Sequence, residues 1–153
     1  YTMSTLYHTI ANEKAKAVFR VFDHVTIYLL IAGTYTPYTL ACLGGALGWT
    51  LFGIVWAAAI VGIVFSSISL RRFQKLSLIC YIAMGWVILI AIKPLWQVIG
   101  TLPMVFLVIG GVLYTGGVLF YQMKESRYMH SIWHLFVIAG SIFQYFSILL
   151  ALT

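Results

Sequence analysis

The chain has 153 residues, of which 63% are hydrophobic and 8% charged, with nine Lys and Arg against three Asp and Glu. Soluble domains run at roughly 45–50% apolar, and so few charges cannot clothe the surface of a soluble domain of this size. Intrinsic disorder needs low hydrophobicity and is excluded by the same numbers. The length suits one domain, and the composition makes it an integral membrane protein.

In chain order, residues 1–10 read as the tail of an earlier helix, because the apolar pattern opens there without a capped entry. A polar segment at 11–22 follows, with Lys14, Lys16 and Arg20. Residues 25–70 carry no Lys, Arg, Asp or Glu, which leaves room for two spans of about 20 residues each. They are expected at 24–43 and 49–70, broken at Gly44, Gly45 and Gly48. Pro37 should kink the first of them, with the neighbouring threonine hydroxyls satisfying the freed carbonyls. Arg71, Arg72 and Lys75 mark the next loop, and a third span at 76–93 closes on Lys93-Pro94. The fourth, 103–123, carries Gly110 and Gly117 seven residues apart, a small-residue face that lets helices approach. The fifth runs over 130–152. Trp49, Trp86, Trp96 and Trp133 read as interfacial or packing residues. Cys42 and Cys80 fall near opposite ends of their spans, beyond disulfide reach.

The cations fix an orientation. The segments at 11–22, 71–75 and 123–129 lie on one side of the bilayer and hold eight of the nine, whereas the alternate loops hold only Lys93. The positive-inside rule puts the first side in the cytoplasm and Thr153 outside. Topology and anionic headgroups then account for the net charge of +6. The bilayer is the implied partner, nucleic acid is not, and the oligomeric state is left open.

Chemistry must come from few groups: His8, His24, His130, His134, Glu13, Asp23 and Glu125. His130 and His134 are i,i+4, so their side chains share one helix face, and Ser4 and His8 repeat that spacing. With the topology above, Ser4, His8, Asp23, His130 and His134 all fall at one cytoplasmic depth. Taken singly, each has a bland reading: a hydrogen-bonded interfacial histidine, or an aspartate capping its helix. Their coincidence favours a metal site. Three neutral imidazoles with an open fourth position are the ligand set of a catalytic zinc, with iron or manganese as the other metals such ligands suit. His24 lies about 100° round the helix from Asp23 and is set aside as a ligand. Glu13 and Glu125 sit among lysines and arginines as loop charges. His130-Ser131-Ile132-Trp133-His134 lacks the glutamate that follows the first histidine in zinc metalloproteases, so Asp23 is the carboxylate left for base work.

Three ordered segments carry a resemblance: Ser4-Thr5-Leu6-Tyr7-His8, the run from Asp23-His24-Val25-Thr26 to Thr34-Tyr35-Thr36-Pro37, and His130-Ser131-Ile132-Trp133-His134 through Gly140-Ser141. Together they resemble the hemolysin III branch of the progestin and adipoQ receptor family, over essentially the whole chain. The resemblance implies an all-α, seven-helix membrane bundle, of which this chain holds the end of helix 2 through helix 7. It also implies zinc bound by His8, His130 and His134, with Ser4 and Asp23 at the serine and aspartate positions of the motifs. Adiponectin receptors and alkaline ceramidases share that constellation, and lipid-amide hydrolysis is associated with it. The expected function is therefore zinc-dependent hydrolysis of a membrane lipid amide or ester. Zinc would activate a water, Asp23 would orient it or take its proton, and Ser4 would help steady the oxyanion. The alternatives are a non-enzymatic receptor or regulator with structural zinc, and a hemolysin-type cytolytic protein. The expected location is a bacterial plasma membrane, with the metal site toward the cytoplasm.

Overall fold

A computed structural model describes residues 13–122 and 129–153. Ser4, His8 and the partial helix expected over 1–10 lie outside the described residues. Among those described, the chain is helical and contains no strand. Helix α1 (Glu13–Thr36) runs into a π-helical segment (Pro37–Leu43), followed by α2 (Gly45–Ile68) and α3 (Leu70–Trp86). A 3-10 segment (Val87–Ala91) leads to α4 (Ile92–Ile99), then α5 (Thr101–Gln122) and α6 (Met129–Leu152). Five stretches are long and apolar enough to cross a bilayer: Val21–Leu43, Gly45–Ile68, Lys75–Ile99, Thr101–Phe120 and Ile132–Leu152. The protein is an all-α polytopic membrane bundle.

Large apolar side chains are exposed on every span, among them Leu29, Ile60, Ile90, Val112 and Leu135. Hydrocarbon is the solvent in which such a surface is stable, and helices meet its demand that backbone polar groups be paired within the chain. The interior is a cluster in which Tyr28, Ala32 and Tyr35 of α1 and Tyr38 of the π-helical segment meet Val55 and Ala59 of α2 and Tyr81 and Met84 of α3. Ile88, Leu95, Met104 and Leu107 continue it toward the far end of the bundle.

The joints follow from local chemistry. Pro37 has no N–H to give the preceding turn, and hydroxyls take up carbonyls around it. Thr36 Oγ1 donates to Ala32 O at 3.0 Å, and Thr39 Oγ1 to Tyr35 O at 2.9 Å. Gly44 and Gly45, at φ 56° and 52°, make the turn into α2 in a conformation that costs glycine little. A Cβ at Gly48 would strike the Thr39 carbonyl, so glycine there lets α2 pack directly on the π-helical segment. At the other end of α2, Ser69 Oγ caps α3 by accepting from the Arg72 N–H at 3.4 Å.

The structure carries the third apolar run to Ile99, past the Lys93-Pro94 end expected from sequence. The helix has already broken at Val87–Ala91, so Pro94 stands in the first turn of α4. Its missing N–H there belongs to the groups that have no intrahelical partner anyway. Tyr35 holds the break from across the bundle, its hydroxyl donating to Gly85 O at 2.8 Å and accepting from the Ile88 N–H at 3.0 Å.

Helices α5 and α6 form the most extensive pair, and glycine is the reason. A Cβ on Gly140 would come within 2.9 Å of the Tyr114 ring, and one on Gly117 within 3.0 Å of Phe136 Cβ. The Gly110/Gly117 face expected from sequence is thus a helix-packing surface.

Candidate functional site

A cavity of about 410 Å³ lies between α1, α3, α5 and α6. Along α1 and into the π-helical segment it reaches from Asp23 and His24 to Tyr38, about 22 Å at the helical rise. Along α6 it reaches from Trp133 to Gln144, about 16 Å. Most of its wall is apolar, including Ile27, Ile31, Met104, Leu107 and Val137. Leu30, Leu89 and Val108 line it and are also exposed on the bundle surface. At these residues its wall thus reaches the surface of the described helices.

Its polar groups gather at two levels. At the first, Asp23 and His24 are half-buried on α1, with Ser77 and Tyr81 of α3 facing them across the cavity. Tyr81 Oη donates to His24 O at 3.0 Å, and Thr26 Oγ1 to Asp23 O at 2.9 Å, which anchors the backbone of both residues. Behind them Ser77 Oγ lies 3.2 Å from Ser66 Oγ of α2. Tyr28 packs on Tyr81 with ring centroids 4.4 Å apart, and the absent side chain of Gly62 gives the Tyr28 ring its place.

The second level lies toward the other end of the spans. Tyr38 Oη donates to Ser147 Oγ at 2.6 Å, and Ser147 Oγ donates to Pro103 O at 2.6 Å. Gln144 Nε2 donates to Leu107 O at 3.1 Å. Between the levels, Trp86 Nε1 donates to Thr115 Oγ1 at 3.1 Å, and the Tyr114 and Ser141 hydroxyls lie 2.9 Å apart.

Of the residues singled out from sequence, Asp23 stands in the cavity wall, and so does His24, which sequence reasoning had set aside. His134 is half-buried, its ring centroid 4.5 Å from that of Trp133. Trp133 lines the cavity and His134 does not. His130 lies one turn before His134 in α6, and its side chain is outside the described residues, as are Ser4 and His8. Among the described residues no three of His, Cys, Asp and Glu converge as a metal site. The expected donor set thus depends on positions beyond them. Sequence reasoning missed Gln144, Tyr35 and Tyr38. The available signal was the three-residue spacing of Ser141, Gln144 and Ser147, which places polar groups on one face of α6.

A model of the haemolysin-III related family matches residues 1–145. The chain is 48% identical over 149 residues to Hemolysin-3 of Bacillus cereus, covering 97% of this chain and 68% of that protein. It is 45% identical over 149 residues to a Hemolysin-3 homolog of Bacillus subtilis (strain 168), covering 97% and 70%. The human monocyte to macrophage differentiation factor is 25% identical over 154 residues, covering 97% of this chain and 63% of that protein. That more distant likeness extends the relationship to the progestin and adipoQ receptor family. No solved structure matches significantly.

Proposed function

The chain belongs to the haemolysin-III related family, and from that premise we propose that it is a metal-dependent membrane hydrolase acting on a lipid amide or ester. The observation that carries the proposal is the cavity: most of its wall is apolar, it reaches exposed side chains at Leu30, Leu89 and Val108, and the carboxylate-bearing residue Asp23 stands at one end. An acyl chain entering sideways from the membrane buries apolar surface against that wall. Its carbonyl head is then at the Asp23 level, where water arrives from the aqueous side.

His8, His130 and His134 are the residues that would hold a zinc ion. When bound, zinc supplies a Lewis acid and a water of lowered pKa. Asp23 orients the attacking water and accepts its proton as the oxygen adds to the carbonyl carbon. The proton passes to the leaving nitrogen or oxygen as the bond to the acyl group breaks. Ser4 donates a hydrogen bond to the carbonyl oxygen as negative charge grows on it. The eight cations flanking this end support the reading that it faces the cytoplasm of a bacterial cell, with Thr153 outside.

The test is lipid product formation by mass spectrometry, using purified protein in vesicles with ceramides, other lipid amides and esters as substrates. Wild type should form product that a chelator abolishes, and Asp23→Asn should be slower by a factor of about 10²–10⁴. Absence of metal-dependent product from the wild type across these substrates refutes the hydrolase reading. A second reading, cytolysis, rests on the name of the Bacillus cereus relative, Hemolysin-3. Release of a trapped dye from vesicles on addition of the protein would favour it.

A further inference from the structure

The Gln144 end of the cavity supplies a feature that hydrolysis at the Asp23 end does not use. Gln144 is 7% exposed and forms part of the cavity wall within the span Ile132–Leu152. Its Nε2 is committed to Leu107 O at 3.1 Å, which fixes the amide, since a flip would set oxygen against oxygen. Gly110 leaves the space the amide occupies, since a Cβ there would stand 2.8 Å from Nε2. The other half of the amide, Oε1, is buried with no hydrogen-bond partner.

The nearby hydroxyls do not supply the missing donor. Tyr38 gives its hydrogen to Ser147, Ser147 gives its own to Pro103 O, and Ser141 Oγ donates to Val137 O at 2.9 Å. The oxygen itself is closed off from solvent. A buried acceptor left in that state is costly, and native structures avoid it unless something brings a donor.

We propose that Gln144 Oε1 is a recognition point for the hydroxyl of a hydroxylated single-chain amphiphile lying in the cavity. A small turn of the amide that keeps the Leu107 bond brings the oxygen to the cavity face. The acyl chain supplies apolar contact along Ile31, Met104 and Val137, and its hydroxyl donates to Oε1. Trp133 and Gln144 are eleven positions apart on α6, so the hydroxyl sits about 16 Å from the Trp133 level, well along the chain from its polar head. The proposal concerns binding alone and stands whether or not the lipid is hydrolysed.

The experiment displaces a labelled stearate from purified protein in detergent with two competitors. One is unlabelled stearate and the other is hydroxystearate with its hydroxyl about twelve carbons from the carboxylate, a distance matched to that separation. Wild type should bind the hydroxylated chain about tenfold more tightly, the usual worth of one buried neutral hydrogen bond. In Gln144→Met, a similarly long side chain without the amide oxygen, the two competitors should bind alike. A wild type that binds both chains equally overturns the proposal and assigns the orphan oxygen to a buried water. A preference that survives in Gln144→Met overturns it as well. Moving the hydroxyl to the second carbon should abolish the wild-type preference. That arm decides the matter even where the variant does not fold, because an unchanged preference would show that position along the chain is not read.

Discussion

Replacing Tyr35 by Phe removes one oxygen atom and leaves the ring's packing in place. That oxygen serves two backbone groups at the break in the third span, accepting from the Ile88 N–H at 3.0 Å and donating to Gly85 O at 2.8 Å. Ile88 is 7% exposed and Ala91 wholly buried, so water is not at hand to replace the hydroxyl. A typical hydrogen bond contributes about 1 kcal/mol net, and leaving a buried group unmade costs about 1–3 kcal/mol. Interhelical bonds in membranes average lower, about 0.6 kcal/mol with a maximum near 1.7, because the unfolded chain in lipid also finds partners. With two groups orphaned at a helix break, Tyr35→Phe should destabilise the bundle by about 2 kcal/mol, roughly thirtyfold in the unfolding constant. Tyr38→Phe is the internal comparison. It removes one bond to Ser147, whose own bond to Pro103 O survives, and should cost nearer 0.6 kcal/mol. The assay is reversible unfolding in mixed detergent micelles, followed by circular dichroism. If Tyr35→Phe proves no more destabilising than Tyr38→Phe, the hydroxyl does not hold the break and the reasoning fails.

Gly140→Ala should loosen the α5–α6 pair and cost about 1–3 kcal/mol in the same assay, because its Cβ meets the Tyr114 ring at 2.9 Å and Gly110 O at 3.2 Å. Gly33→Ala should be neutral or stabilise by up to about 1 kcal/mol, since a Cβ there has nothing within 4 Å. Zinc measured by atomic emission should approach about one per chain in wild type, fall in His134→Ala and persist in His24→Ala. Equal loss in both variants would displace the proposed ligand set. Single-cysteine reporters in a background lacking Cys42 and Cys80 should be labelled from the cytoplasmic side at Lys16, Arg72 or Lys124. At Gly45 or Thr101 labelling should come from outside only, and the reverse pattern would move the Asp23 end to the outer face.

The membrane bundle was legible because charge is excluded from hydrocarbon, so residues 25–70 declare two spans by composition alone. The turn at Gly44 and Gly45 was legible because positive φ is cheap for glycine. The path of the third span was not. Lys93-Pro94 is a sound local stop signal, but the decisive break is made earlier by a tyrosine hydroxyl fifty residues away in sequence. No window of local pattern contains that contact. The π-helical segment is a similar case: Pro37 announces a disturbance, while its form depends on Thr39 and on how closely α2 can approach at Gly48.

The candidate site divides along the same physical line. Ionisable groups in a membrane chain draw attention because their burial is expensive, and that argument found Asp23, which stands in the cavity wall. It passed over Gln144, which carries no charge, although an unpaired amide oxygen in hydrocarbon is also costly. The α6 face shows why the distinction matters. Ser147 is consumed in tying α6 to Tyr38 and Pro103, and Ser141 pairs with Tyr114 and its own helix. Those hydroxyls act as scaffold, their donors spent on the protein itself. Gln144 spends only its donor, on Leu107. An apolar side chain at that position would fill the wall without leaving an acceptor orphaned, so the amide costs the apo bundle stability. Polar residue type and helix spacing are written in the sequence, but the separation of spent groups from unspent ones exists only once the cavity-lining helices are in place.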